Sequence, residues 1–229
     1  ELREHEGAAL VFDDYETMRR RLDDPELEAD ENTVLVMRGA GPIGVPGMPE
    51  WGMVPVPAAL AARGVTANQV TLIAMIVSVG IGALLILRPE PAFFALVPVW
   101  MFVRMAFNAV DGMLAREHGQ KSPLGGYLNE IADVVSDAAL YIPFALVAPF
   151  SLPWLMAIVF LATLTEFAGV LGTAHGNGRS YEGPMGKSDR ALLFGALGAL
   201  VAGFGTLPAW TWHIQPMACV LLVWTVVNR

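Results

Sequence analysis

From Ala67 to the end of the chain, apolar residues run in stretches of bilayer-spanning length, about 20 residues each, broken by short segments rich in Gly, Pro and charge. The stretches predict six transmembrane helices, near 70–87, 92–116, 124–147, 152–173, 191–207 and 214–227, the last truncated by the chain end. Before Ala67 the pattern differs, with short apolar runs set between strongly charged ones. Residues 8–12 read as a strand, 14–22 as a short charged helix and 32–37 as a buried strand, followed by the Gly/Pro-rich run GAGPIGVPGMPEWG. The expected architecture is an all-α integral membrane domain at 66–229, preceded by a small partial α/β soluble segment at 1–65. Thr66 stands where it can cap the first membrane helix.

Composition supports the division. Of 229 residues, 55% are hydrophobic and only 16% charged, with a mean hydropathy of +0.51, values of a membrane protein. The net charge of −8 belongs to the front: 13 acids and 6 arginines precede Ala67, against 9 acids and 8 bases after it. No nucleic-acid partner is expected. The lone Cys219 excludes an intrachain disulfide and an all-cysteine metal site, and reads as a small packing residue. There is no initiating Met and no signal peptide, so the chain reads as cut at its front.

The polar residues inside the apolar stretches carry the chemistry, because a carboxylate at membrane depth costs roughly 2.5–3.5 kcal/mol on insertion scales. Arg104, Asn108, Asp111 and Ala115 share one face of a helix, and Asn129, Asp133 and Asp137, four apart, share a face of the next. Two adjacent helices can aim Asn108, Asp111, Asn129 and Asp133 at one point, a set of hard oxygen donors suited to Mg²⁺, Mn²⁺ or Ca²⁺. Gly112, Ala115, Gly125 and Gly126 leave room for a bulky anionic ligand, and Arg116 can hold a phosphate at the helix end. The competing reading is that these groups only mediate helix packing.

These residues resemble the signature of the CDP-alcohol phosphatidyltransferases, D-x-x-D-G-x-x-A-R, eight residues, then G-x-x-x-D-x-x-x-D. Asn108, Asp111, Gly112, Ala115, Arg116, Gly125, Asn129 and Asp133 fall on it with every spacing kept, two of its four aspartates being asparagine here. Thr66, Asn68 and Thr71 also fit the family's opening. The resemblance implies metal-dependent (Mg²⁺ or Mn²⁺) transfer of a phosphatidyl or related phospho-alcohol group from CDP-diacylglycerol or a similar CDP-alcohol to an acceptor alcohol, with release of CMP. In that scheme Asp133 is the general base, the metal set comprises Asn108, Asp111, Asn129 and Asp133, and Glu130 or Asp137 compensates for the missing charge. Gly186, Lys187 and Arg190, in the segment 175–191, resemble the family's phosphate-holding basic loop; solvated topology charges are the alternative. A homodimer is expected from the resemblance, and Ala191, Gly195 and Ala199 suit close helix packing or such a contact.

A second resemblance covers the front. Gly41, Pro42, Gly44, Pro46, Gly47, Met48 and Glu50 fit the loop G-P-x-G-x-P-G-M-x-E of the dihydroxy-acid and sugar-acid dehydratases, in which the glutamate helps bind Mg²⁺. The cluster-binding cysteines and the downstream serine segment of that family do not follow; the chain turns into ANQVTLIAMIVSVG instead. It therefore reads as a chimera joined between Gly64 and Asn68, with no dehydration activity.

Arg63, Arg116, Lys121, Arg179, Lys187, Arg190 and Arg229 fall on one side of six alternating spans and Arg88 alone on the other. The positive-inside rule then places the protein in the inner (cytoplasmic) membrane with its polar cluster facing the cytoplasm. Arg104 and Glu166, the remaining charges within spans, are expected to pair with each other or with the cluster, or else to touch substrate. The rival to an enzyme is an impaired membrane protein that binds CDP-lipid without turnover.

Overall fold

A computed structural model describes residues 7–13, 15–22, 24, 27, 29–30, 32–38, 56–175 and 179–229. The chain divides into two compact units, 1–53 and 54–229. In the first, β1 (Ala9–Phe12) and β2 (Val34–Met37) pair in parallel, with α1 (Tyr15–Leu22) between them in sequence. A parallel pair needs such a crossover. Phe12 and Met18 are buried, whereas Val34, Leu35 and Val36 are each more than a third exposed. The second strand is thus not the buried one expected, because one short helix covers little of a two-stranded sheet. The Gly/Pro-rich loop with Glu50 lies outside the described residues.

The second unit is helical: α2 (Val56–Ala62), α3 (Ala67–Leu87), α4 (Leu96–Glu117), α5 (Pro123–Tyr141), α6 (Leu152–Ala174), α7 (Lys187–Phe204) and α8 (Ile214–Asn228). It begins before the expected 65/66 boundary because Leu60 and Ala61 of α2 pack with Val110 and Leu114 of α4. Among the described residues four runs, Ala67–Leu87, Pro91–Glu117, Leu152–Thr173 and Ala209–Asn228, are long and apolar enough to cross a bilayer. The chain is a multi-pass membrane protein. The helices α5 and α7 fall short of that measure because each carries three charged residues: Glu130, Asp133 and Asp137, and Lys187, Asp189 and Arg190.

Local chemistry sets the helix ends. Thr66 caps α3 in a reciprocal box with Gln69, as expected, and Ser122 caps α5 through the Gly125 N–H. The helix α5 stops at Tyr141 rather than 147 and tightens into a 3-10 turn, Ile142–Leu146, where Pro143 has no N–H to continue the ladder. The helix α7 starts at Lys187, four residues before the apolar run, because Asp189 accepts from the Gly186 N–H at 2.9 Å.

Gln120, between α4 and α5, accepts from Ala67 N and donates to Val65 O. Arg229, at the end of α8, donates to Glu182 O between α6 and α7. Arg88 pairs with Glu90 in the connection from α3 to α4. An aromatic core joins Phe94, Phe144, Phe194 and Tyr141, whose ring stacks on Phe194 at 3.8 Å. Cys219 packs beside the core as a half-buried residue. Of the small residues of α7, Gly195 faces Pro98 of α4 and Gly198 meets Val97, whereas Ala199 is exposed.

The crossing of α3 on α5 is closest at Gly82, where a Cβ would lie 2.2 Å from the carbonyl oxygen of Ala139. A backbone atom cannot step aside. Gly82→Val is expected to lower stability by about 1–3 kcal/mol, read as a drop in Tm of the detergent-solubilised protein; an unchanged Tm would contradict the crossing.

Candidate active site

Polar residues of α3, α4, α5, α6 and α7 converge at the end of the bundle where α3 begins and α4 ends. The backbones of α4 and α5 each pack against α3 far more than against one another, so side chains bridge them. From α3, Thr71 donates to Asp111 Oδ2 on α4 at 2.6 Å. From α4, Arg104 reaches α5, donating to Asp137 Oδ1 at 2.6 Å and to Asp133 Oδ1 at 3.2 Å. From α7, Lys187 Nζ donates to Asp133 Oδ2 at 2.5 Å. Asp111, Asp133, Asp137 and Arg104 are all buried.

Asn108 and Asn129 stand one turn before Asp111 and Asp133, both half-buried, and their side-chain amides have no hydrogen-bond partner among the described residues. Thr71 bonds the Asp111 carboxylate and Lys187 that of Asp133. Such a set fits one divalent cation: two carboxylates balance its charge, two open amides complete the oxygen donors, and an ammonium already sits on Asp133. Among the described residues no three His, Cys, Asp or Glu gather as a metal-binding group. The amides would therefore have to serve as ligands.

Arg116 folds its guanidinium over Gly112, where a Cβ would lie 3.2 Å from Nη1, and forms no ion pair among the described residues. Gly125 faces Asn68, whose Oδ1 would be 2.8 Å from a Cβ there, and Gly126 faces open space. Ala115 packs beside the cluster of Ala67, Val70, Val110 and Leu114.

Two expected ligands are otherwise engaged. Asp137, a candidate to compensate for the missing metal charge, has Arg104 on Oδ1 and Arg190 on Oδ2. Arg190, a candidate phosphate holder, is 1% exposed and bonds Asp137, Glu166 Oε1 at 2.8 Å, Thr165 Oγ1 and Met185 O. Arg104 pairs with the cluster, as one reading held, but not with Glu166. Glu166 instead takes Arg190, Arg179 at 2.9 Å and Arg229 at 3.6 Å.

Sequence reasoning missed Arg179, which follows α6 and also bonds Glu130 Oε1. Burial opposes its charge, yet Glu130, Tyr181 and Glu166 hold its guanidinium above the usual arginine range. No spacing signalled this pair, since its members are 49 positions apart. The hold of Thr71 on Asp111 was also missed, although the T-x-N-x-x-T opening contains that threonine.

Residues 64–225 match the sequence model of the CDP-alcohol phosphatidyltransferase family, and residues 1–75 that of the dihydroxy-acid/6-phosphogluconate dehydratase C-terminal domain. Both resemblances, and the chimeric reading, are borne out. The chain is 46% identical over 165 residues to the inner membrane protein YnbA of Escherichia coli strain K12, covering 72% of this chain and 82% of that one. Its front is 59% identical over 64 residues to the 6-deoxy-6-sulfo-D-gluconate dehydratase of Pseudomonas putida, but those residues span only 11% of that enzyme. The fold is similar to crystal structures of the phosphatidylinositol phosphate synthase of Mycobacterium tuberculosis at 20% identity. With CDP-DAG bound, the TM-score is 0.60, covering 76% of this chain and 89% of that one. In complex with manganese and citrate it is 0.59, covering 76% and 85%.

Proposed function

Because the chain belongs to the CDP-alcohol phosphatidyltransferase family, a class of membrane enzyme that moves a phospho-alcohol group from a CDP-alcohol to a hydroxyl with release of CMP in phospholipid synthesis, we propose a role for each group of its polar cluster. The donor is CDP-diacylglycerol or a similar CDP-alcohol, its tails among the membrane lipids and its nucleotide at the cytoplasmic end of six membrane crossings. Arg116, without an ion pair among the described residues and beside Gly112, holds a phosphate of the nucleotide.

Asp111, oriented by Thr71, holds one Mg²⁺ or Mn²⁺ with the amide oxygens of Asn108 and Asn129. When bound, that ion offsets charge on the pyrophosphate and on the departing CMP. Asp133 is the general base. Its Oδ2 faces Lys187, so the ammonium leaves that oxygen for a phosphate of the donor as the acceptor enters. The acceptor hydroxyl then gives its proton to Asp133 Oδ2 and bonds to the β-phosphorus. The bond from that phosphorus to the bridging oxygen breaks, and CMP leaves with the electron pair.

Arg104, Asp137, Arg190 and Glu166 keep α4, α5, α6 and α7 in register around these groups. Residues 1–65 are an appended dehydratase fragment without dehydration chemistry; the match to about a tenth of the dehydratase's length supports this. The protein lies in the inner membrane with the site toward the cytoplasm, which the one-sided Lys and Arg distribution supports.

The observation that carries the reading is the pair of open amides, Asn108 and Asn129, each one turn before a buried carboxylate at the family's spacing. Detergent-purified chain, given CDP-diacylglycerol, Mn²⁺ and a pool of alcohols, is expected to release CMP and to stop on addition of EDTA. CDP-lipid binding without metal-dependent CMP release would instead favour a binding protein, a reading that the Lys187 contact on Asp133 gives some footing.

A further inference from the structure

The cations that the α6–α7 connection and α7 bring to the cluster are already matched by carboxylates. Arg179 has Glu130 and Glu166, Arg190 has Glu166 and Asp137, and Lys187 has Asp133. A phosphorylated acceptor would bring a dianion into this half-buried region, and each guanidinium it recruited would strand a carboxylate without its partner. That is costly where water is scarce. Lys187, the one cation released in the transfer reaction, goes to the donor's phosphates.

Two polar atoms of this pair are buried and have no hydrogen-bond partner among the described residues: Glu130 Oε2 and Arg179 Nε. One accepts and the other donates, and they belong to side chains already bonded to each other. A phosphate would suit only the donor, and an ammonium only the carboxylate. A hydroxyl, which donates and accepts, suits both. Glu130 lies one turn before Asp133 on the same helix, where neighbouring Cβ atoms are about 5–6 Å apart, so an acceptor with several hydroxyls can offer one to each.

We propose, resting on the transferase reading above, that the acceptor is an unphosphorylated polyol, recognised through a non-reacting hydroxyl by Glu130 and Arg179. The test compares glycerol and inositol with glycerol 3-phosphate and inositol phosphate as acceptors from CDP-diacylglycerol with Mn²⁺. An unphosphorylated polyol is expected to drive CMP release at least about tenfold faster than its phosphorylated counterpart, the discrimination expected when buried polar groups are left unmatched.

Glu130→Gln is expected to raise the acceptor KM about tenfold, the loss of one hydrogen bond to a charged group, with kcat and CDP-diacylglycerol affinity nearly unchanged. Left with Glu166 as its one carboxylate partner among the described residues, Arg179 in that variant shifts the preference toward the phosphorylated acceptor, which a merely structural role would not do. Transfer favouring a phosphorylated alcohol in the unaltered chain would overturn this inference and leave the transferase reading intact. An unchanged acceptor KM in Glu130→Gln would overturn it equally. Absence of CMP release with every acceptor would remove the transferase reading and this inference with it.

Discussion

Asp133→Asn is expected to lower CMP release roughly a thousandfold, the scale of a lost general base, while CDP-lipid binding changes little. The amide has the carboxylate's shape, so it opens no cavity in a position only 5% exposed. It cannot take a proton from a hydroxyl at neutral pH, and its NH2 group would face the donors of Lys187 or Arg104. Arg104 keeps Asp137 as a partner, which limits the structural cost. Turnover and binding of radiolabelled CDP-diacylglycerol, measured on one preparation, separate the two effects. Turnover within tenfold of the unaltered chain would remove Asp133 from the base role.

Arg190→Met is expected to destabilise the fold by about 3–5 kcal/mol, the usual result of removing one member of a buried charge network. Arg190 is a bolt between helices: from α7 it holds Asp137 on α5 and Glu166 and Thr165 on α6. Without it Asp137 keeps only Arg104, and Glu166 depends on Arg179 and Arg229 near the helix ends. Arg190→Lys should recover part of the loss, because an ammonium can reach one carboxylate but not span both. Thermal unfolding in detergent reads the order: unaltered chain, then lysine, then methionine. Equal melting temperatures for all three would show that the network does not hold the bundle.

Legibility followed the range of the interaction. The set Asn108, Asp111, Asn129 and Asp133 could be read directly because its spacing is local to two helices, and helical geometry turns spacing into a shared face. The partners along the same face could not. Asp137 shares the face and the Arg104 contact of Asp133, yet its second oxygen takes Arg190 where that of Asp133 takes Lys187. Arg190 was mistaken for a loop residue because the apolar run starts at Ala191, whereas the helix starts at Lys187 under the Gly186 and Asp189 cap. The pairs Glu130 with Arg179 and Glu166 with Arg190 join residues 49 and 24 positions apart. Only packing brings them together. At the front, the strand at 34–37 was found but its burial was not, since burial depends on layers that one helix does not supply.

The central claim is transfer through the cluster of Asp111 and Asp133, and it is tested most directly by following the β-phosphorus of CDP-diacylglycerol labelled at that atom. The account predicts that, with Mn²⁺ and a polyol, the label leaves in a new phosphodiester lipid while unlabelled CMP accumulates, and that EDTA or Asp111→Asn stops both. Label recovered only as phosphatidic acid, or retained wholly in the donor, would contradict it.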